Sequence, residues 1–130
     1  MASRFSEIVV DCLDPRRLAE FWAEVLGYRI IDESEGAFEI AGEEQTDDAM
    51  RRGIVPPTIM FIKVPEAKTV KNRLHIDLRP IDRTTAQEVE RIISLGARRI
   101  DIGQGEQSWV VLADPEGNEF CVLREVPPGT

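Results

Sequence analysis

The feature of this sequence that most constrains its fold is an approximate internal repeat. Residues 6–32 resemble residues 74–101 in the order of apolar positions, helix signals and closing residues. The equivalent pairs are Glu7 with His75, Asp14 with Asp82, Gly27 with Gly96, and Val64–Pro65 with Val126–Pro127. Internal self-similarity is the sequence signature of a repeated supersecondary unit. We therefore predict two copies of one module, at about residues 5–65 and 73–127.

The first module begins with a strand and a helix. Glu7–Cys12 alternates apolar and polar residues, which indicates a strand. Asp14 then precedes Pro15, a combination typical of a helix start, and Gly27 has the composition of a helix end. Further strands are predicted at Tyr28–Asp32, Ala37–Ala41 and Thr58–Val64.

The second module has the same order of elements. A strand at Leu74–Arg79 leads to a helix that ends at Gly96, with capping boxes available at Thr84 and Gln87 or at Thr85 and Glu88. Further strands are predicted at Arg98–Ile102, Trp109–Ala113 and Glu119–Glu125, and Asp114–Gly117 has the residues of a type I turn. The order βαβββ, used twice, predicts an α+β fold in one domain, residues 1–130. Its strands form a curved mixed sheet, a half-open barrel with the helices outside.

Composition limits the partners and the location. The net charge is −8, and an acidic surface argues against nucleic acid or an anionic membrane as the partner. Cys12 and Cys121 each lie inside an apolar run, which is typical of reduced, buried thiols in a cytoplasmic protein. Residues 42–57 break the repeat, and we expect an exposed loop of open function with one short helical turn around Asp48–Arg52.

The strand next to each helix has one apolar face, which we expect to pack on that helix. The residues of these faces are Ile8, Val10 and Cys12, and Leu74, Ile76 and Leu78. The opposite faces carry Glu7, Val9 and Asp11, and His75, Asp77 and Arg79. Solvent exposure of a plain sheet would explain this alternation equally well.

A curved sheet would instead direct the opposite faces into a shared cleft. Glu7 and His75, being equivalent in the repeat, would then approach each other as an acid–base pair, as metal ligands or as hydrogen-bond partners. These two residues are the candidate catalytic residues. The candidate ligand-binding residues are Asp11, Asp77, Arg79, Trp109 and Cys121, with Phe38 and Val9 as further apolar surface.

Four segments carry a resemblance to a known family. They are Leu13–Trp22, Val25–Tyr28, Lys71–Leu78 and Ala113–Phe120, the last reading ADPEGNEF. The chain resembles, over nearly its whole length, the glyoxalase-like and bleomycin-resistance-like proteins of the vicinal oxygen chelate superfamily. The resemblance implies a small organic ligand or substrate and a homodimer. It leaves activity open, because the superfamily contains lyases, dioxygenases, epimerases and proteins that only sequester drugs.

The resemblance also implies four metal-ligand positions, one on the first and one on the last strand of each module. Here they fall on Glu7, His75, Cys121 and a residue near Ile59–Phe61, where no side chain binds a divalent ion. Glu7, His75 and Cys121 are three donors that zinc accepts, but family metalloenzymes generally have glutamate in place of the cysteine. Asp77 stands about 6.5 Å further along its strand than His75, and Asp11 stands further still from Glu7. We therefore expect no complete metal site and no cofactor, with a divalent metal as the open alternative.

Three hypotheses about function follow. The first is metal-independent binding of a small organic molecule in the cleft. The second is a lyase or isomerase, which uses either a divalent metal or His75 and Glu7 as acid–base groups. The third is an interaction module with a vestigial cleft. The sequence does not decide whether the protein is an enzyme.

Overall fold

Each predicted module forms its own mixed four-stranded sheet, and the two sheets have the same plan. The α+β assignment and the repeated βαβββ order are therefore confirmed. The computed structural model describes residues 2–42, 46–53, 55–100 and 109–126. The chain divides into two compact units, Met1–Ala67 and Lys68–Thr130. Each unit is a four-stranded sheet of the described residues with one parallel and two antiparallel strand pairs.

The first unit has its strands in the order β1-β4-β3-β2. Its elements are β1 (Glu7–Cys12), α1 (Pro15–Leu26), β2 (Arg29–Ser34), β3 (Ala37–Ala41), α2 (Asp47–Arg52) and β4 (Thr58–Lys63). The first and last strands run parallel, with Glu7 opposite Thr58 and Val9 opposite Met60.

The signals that delimit α1 act as the sequence predicts. The Asp14 side chain accepts a hydrogen bond from the Arg17 backbone N–H at 3.1 Å, which satisfies an otherwise unpaired donor of the first turn. Gly27 ends the helix at φ 69°, a left-handed conformation that glycine adopts without steric cost. The apolar face of α1, which includes Leu18 and Phe21, is buried and packs on β3 and β4.

The second unit repeats this arrangement with the strand order β5-β8-β7-β6. Its elements are β5 (Asp77–Leu78), α3 (Thr85–Leu95), β6 (Arg98–Arg99), β7 (Val110–Ala113) and β8 (Glu119–Val122). The capping box is the one formed by Thr84 and Gln87, because Thr85 instead bonds Glu125 and the Leu123 carbonyl. The predicted turn at Asp114–Gly117 is also present, with Gly117 N–H donating to the Asp114 carbonyl at 2.8 Å. The predicted strand end at Ile102 lies outside the described residues.

Strand β5 is shorter than the predicted Leu74–Arg79, and this changes the core. Its ladder to β8 pairs Asp77 with Cys121 and Leu78 with Val122. Leu74 precedes that ladder and is 88% exposed, so its assignment to the core is wrong. The second core is formed instead by residues such as Leu112, Phe120 and Val122, all below 2% exposed.

Two further expectations change in the first unit. Phe38 is buried and lies under the Arg16 guanidinium, 4.8 Å from the ring centroid, so its prediction as pocket surface is wrong. Ile8 is 37% exposed, so only part of the apolar face of β1 is buried, with Cys12 its most buried member. Residues 46–53 contain the predicted helical turn, as helix α2. Within the described ranges, none of the helices has the length and apolar character needed to cross a lipid bilayer.

Candidate functional site

A cavity of about 390 Å³ lies in the second unit, beside strands β5, β7 and β8. Its lining residues are Lys71, His75, Asp77, Trp109, Val111, Glu119, Phe120, Cys121 and Leu123. Alternate residues of a strand point to one face, so Glu119, Cys121 and Leu123 reach the cavity together. Val111 lies directly opposite Cys121 in the antiparallel ladder between β7 and β8. The cavity has apolar walls with polar groups gathered at one place, which is the usual character of a small-molecule site.

The polar groups form a cluster of three different ligand types. His75 Nδ1 lies 2.9 Å from Asp77 Oδ1, and Asp77 stands opposite Cys121 in the parallel ladder. One ligating atom from each of these three side chains lies within 4.8 Å of the others. The expectation that Asp77 stands too far from His75 to share a metal site is therefore wrong. Backbone spacing sets the distance between Cα atoms, whereas side chains on one face can turn toward each other.

Cys121 is a protonated thiol in this environment. Burial raises its pKa, and the negative charge and hydrogen bonding of Asp77 raise the pKa further, while Lys71 opposes them weakly. The side chain belongs to a residue only 7% exposed. A thiol whose pKa is raised is a poor nucleophile, so the cluster does not resemble an activated cysteine–histidine pair.

Glu119 holds residues 68–72, the segment that connects the two modules and precedes β5. Its carboxylate accepts hydrogen bonds from Lys68 Nζ at 2.8 Å and from the Asn72 backbone N–H at 3.1 Å. Burial acts to raise the pKa of Glu119, but these donors outweigh it and hold the pKa below its usual value. Because this segment is held at Lys68 and at Asn72, Lys71 between them lies at the cavity.

The structure brings together four of the seven predicted site residues: His75, Asp77, Trp109 and Cys121. Arg79 instead donates a hydrogen bond to the Arg124 carbonyl at 2.7 Å. Glu7 and Asp11 are exposed on β1, opposite Thr58 and Ile62. They belong to the first unit, and the approach of Glu7 to His75 stays a prediction.

Several residues that line the cavity were not predicted from the sequence, including Lys71, Val111 and Leu123. The alternation of β8 contains the signal for Leu123, since this residue shares the parity of Cys121. Lys71 lies in a segment without periodicity, and its position depends on the contacts of Lys68 and Asn72 with Glu119.

A second cavity, of about 470 Å³, lies in the first unit between the N-terminal segment and the region of α2. Its described lining includes Arg4, Phe5, Met50 and Pro57. Among the described residues that line it, Arg4 is the charged one. These residues therefore include no cluster of metal-ligating or acid–base side chains comparable to His75, Asp77 and Cys121.

The chain was compared with protein families, with curated proteins and with solved structures. The families and the solved structures gave matches that agree with this architecture. Residues 7–123 match the family of the glyoxalase-like domain. No curated protein matches the chain. Among solved structures, the chain is similar to a glyoxalase/bleomycin resistance protein/dioxygenase family enzyme from Burkholderia phytofirmans PsJN, with 19% identity and a TM-score of 0.64, covering 95% of this chain and 99% of that one.

Fosfomycin resistance proteins are also among the similar structures. The chain resembles a mutant FosX from Listeria monocytogenes complexed with Mn(II) and 1S,2S-dihydroxypropylphosphonic acid, with 16% identity, a TM-score of 0.65, and coverage of 98% of this chain and 94% of that one. It resembles FosX from Mesorhizobium loti with 14% identity, a TM-score of 0.65, and coverage of 94% and 92%. At these identities the likeness concerns the fold. Because the family match spans most of the sequence, this chain belongs to the glyoxalase-like domain family.

Proposed function

We propose that this protein binds a small organic molecule in the cavity of its second module, with His75 and Asp77 as the polar groups that orient it. The observation that carries the proposal is the convergence of His75, Asp77 and Cys121 in a cavity that Trp109, Val111 and Leu123 make largely apolar. Apolar surface supplies the affinity in such sites, and a few polar groups supply orientation.

The chemistry of the lining narrows the ligand class. Trp109 is 36% exposed and offers an aromatic surface, on which a planar or cationic group can stack. The Asp77 carboxylate adds a negative charge at the polar end. We therefore expect an aromatic or cationic ligand. We also propose that Glu7, the counterpart of His75 in the repeat, contributes to ligand binding.

Tryptophan fluorescence tests this proposal, because the two tryptophans differ in position. Trp22 is 4% exposed in the first core, whereas Trp109 lies at the cavity. Metal-free protein is titrated with a panel of aromatic and cationic metabolites, and we expect saturable quenching that Trp109→Phe removes. Asp77→Asn is expected to weaken binding about tenfold, the cost of one charged hydrogen bond.

Asp82→Asn is the matched control, because Asp82 is exposed in the same module and bonds Arg83. It should leave the affinity unchanged. Glu7→Gln tests the proposed part of Glu7 separately: weaker binding in this variant would support it, and unchanged binding would exclude it. Absence of any saturable binding across the panel would contradict the proposal.

A second candidate is a divalent-metal-dependent lyase or isomerase. It is favoured by the three-donor cluster and by the Mn(II) in the FosX complex. His75, Asp77 and Cys121 would hold the ion, which would supply a Lewis acid for a substrate oxygen. The chain's own part is then to orient the substrate against Trp109 and to exclude water with the apolar wall.

The assembly and location remain part of this proposal. We expect a homodimer, as the family resemblance implies, and a cytoplasmic location, which two reduced cysteines favour. Light scattering of the untagged protein tests the dimer directly, and a monomer at micromolar concentration would contradict it.

A further inference from the structure

The cluster in the second module combines three donor types on one sheet face. His75 and Asp77 are two residues apart and share a face, and Asp77 is in register with Cys121 on the neighbouring strand. The donors are an imidazole, a carboxylate and a thiol, whose ligating atoms lie within 4.8 Å of one another. All three residues line the same cavity.

Asp77 contacts both other members of the cluster, each of which has a polar atom that can bind either a proton or a metal ion. Asp77 Oδ1 lies 2.9 Å from His75 Nδ1, and its carboxylate also interacts with the Cys121 thiol. One carboxylate therefore faces two groups that carry or can carry a proton. Metal binding would remove the thiol proton, because cysteine ligates a metal as the thiolate.

The spacing suits a small tetrahedral ion. Ligands about 2.0–2.3 Å from zinc stand about 3.3–3.8 Å from one another. The cluster, at up to 4.8 Å, needs only a small rotation of side chains to reach that geometry. His75 and Asp77 have side chains that are 44% exposed, so they have room for this rotation.

We infer that His75, Asp77 and Cys121 form a binding site for Zn²⁺ within the second module alone. This inference deepens the second candidate function, and the proposed binding of an organic ligand does not depend on it. The site differs from the one that the family resemblance implies. Its donors come from one module, and Asp77 stands at a position to which the resemblance assigns no ligand.

The donor set also determines which ion is preferred. Thiolate and imidazole favour zinc over Mn²⁺ and Mg²⁺, which prefer oxygen ligands. The chain therefore differs in expected metal preference from the FosX structure, which is complexed with Mn(II). Three protein ligands leave one position of a tetrahedral ion for water or a ligand atom, as catalytic zinc sites do.

Direct metal binding tests the inference without an activity assay. Protein made without a histidine tag is stripped with a chelator and titrated with Zn²⁺ by calorimetry, and with Co²⁺ by absorbance. We expect one ion per chain, with Zn²⁺ bound more tightly than Mn²⁺. We also expect a sulfur-to-cobalt charge-transfer band that Cys121→Ser abolishes and Cys12→Ser leaves unchanged.

Two variants test the ligand set. Asp77→Asn is expected to weaken Zn²⁺ binding by about tenfold or more, as loss of a group that ligates or orients a ligand does. Glu7→Gln is expected to leave Zn²⁺ binding unchanged, because Glu7 is not one of the three donors of the cluster. Unchanged affinity in Asp77→Asn, or loss of binding in Glu7→Gln, would overturn the single-module site.

A second measurement needs no substitution of the proposed ligands, so it remains valid if one of those variants fails to fold. In the Cys12→Ser variant, whose proposed ligands are all intact, stoichiometric Zn²⁺ should protect Cys121 from alkylation, whereas Mn²⁺ should not. No protection, or absence of stoichiometric Zn²⁺, would refute the inference. Quenching of Trp109 by organic ligands in the metal-free protein would still be observed in that case, so failure of the zinc site and failure of the proposed function are distinguishable.

Discussion

The two modules have the same backbone plan but different chemistry at equivalent positions. Val9 lies two residues after Glu7 and pairs with Met60, whereas Asp77 lies two residues after His75 and pairs with Cys121. The ladder positions that hold an acid and a thiol in the second module therefore hold two apolar side chains in the first. The carboxylate of Asp77 and the thiol of Cys121 therefore have no counterpart at these positions of the first module.

The fold thus supplies equivalent positions in both modules, and the side chains at those positions decide what each module can bind. Each sheet buries one face under a helix, with Ile40 and Phe61 in the first unit and Leu112 and Phe120 in the second. The helix-facing positions are apolar in both, because packing requires it. The opposite faces are free of that requirement and can diverge.

The largest predicted effect tests the similarity of the two cores. Phe61 and Phe120 are each 1% exposed, one in each unit. We expect Phe61→Ala and Phe120→Ala each to lower the free energy of unfolding by about 3–5 kcal/mol, because a buried aromatic ring leaves a cavity. Urea unfolding monitored by circular dichroism measures both. A cost below about 1 kcal/mol for either variant would contradict equal core packing.

A smaller effect comes from Glu119, where the modules differ. The equivalent position in the first module is Thr58, whose hydroxyl donates to Glu39 at 2.7 Å. At pH 7 we expect Glu119→Gln to cost about 1–2 kcal/mol, because it loses charged hydrogen bonds from Lys68 and Asn72. Thr58→Val, with one hydrogen bond lost, should cost about 1 kcal/mol.

The pH dependence of the Glu119 effect has a definite sign. Although burial opposes it, hydrogen bonding holds the folded-state pKa of Glu119 below the ordinary value of 4.5. The stabilisation is therefore complete above that value and is lost as the pH falls through the lower folded-state pKa. Unfolding measured from neutral pH to acid should show wild type and Glu119→Gln converging. A constant difference would contradict the assignment.

Equivalent helix starts should give a smaller and more uniform effect. The Asp14 carboxylate caps α1, and the Thr84 hydroxyl caps α3 by accepting from the Gln87 N–H at 3.1 Å. We expect Asp14→Ala and Thr84→Ala each to cost about 1 kcal/mol, from loss of the cap. Thermal unfolding of the two variants checks this, and replacement of Asp14 or Thr84 by serine should restore most of the loss.

The smallest predicted effect concerns the reactivity of Cys121. Burial is the largest cause that raises the pKa of this thiol. The charge and hydrogen bonding of Asp77 raise the pKa further, and Lys71 lowers it. In metal-free protein carrying Cys12→Ser, Asp77→Asn should speed alkylation at pH 8 about threefold, and Lys71→Met should slow it. Iodoacetamide kinetics followed by mass spectrometry measure both rates. Changes of the same sign in the two variants would contradict this electrostatic account.

Local sequence signals predicted most of the fold. The Asp14 cap, the Gly27 helix end and the Asp114–Gly117 turn depend on neighbouring residues, so the sequence is sufficient for them. The exposure of Leu74 was not predictable, because it depends on where pairing between β5 and β8 begins. A polar alternation marks a face but does not set the extent of its ladder.

The candidate site was predicted in part for a related reason. Alternation placed His75 and Asp77 on one face, and the alternation of β8 offered Cys121 as a member of the same cavity. The sequence could not give the 2.9 Å contact between His75 and Asp77, because side-chain rotation lies outside any pattern of residue types. The role of Glu7 still depends on how the two modules are arranged, which local signals do not determine.

The second module carries most of the ligand binding that we propose for this chain. Amide chemical-shift mapping tests this proposal most directly, with the tightest binder from the aromatic and cationic panel added to ¹⁵N-labelled, metal-free protein. We expect the largest shifts on Asp77, Cys121 and the Trp109 indole N–H. Shifts confined to β1, β3 and β4 of the first module would contradict it.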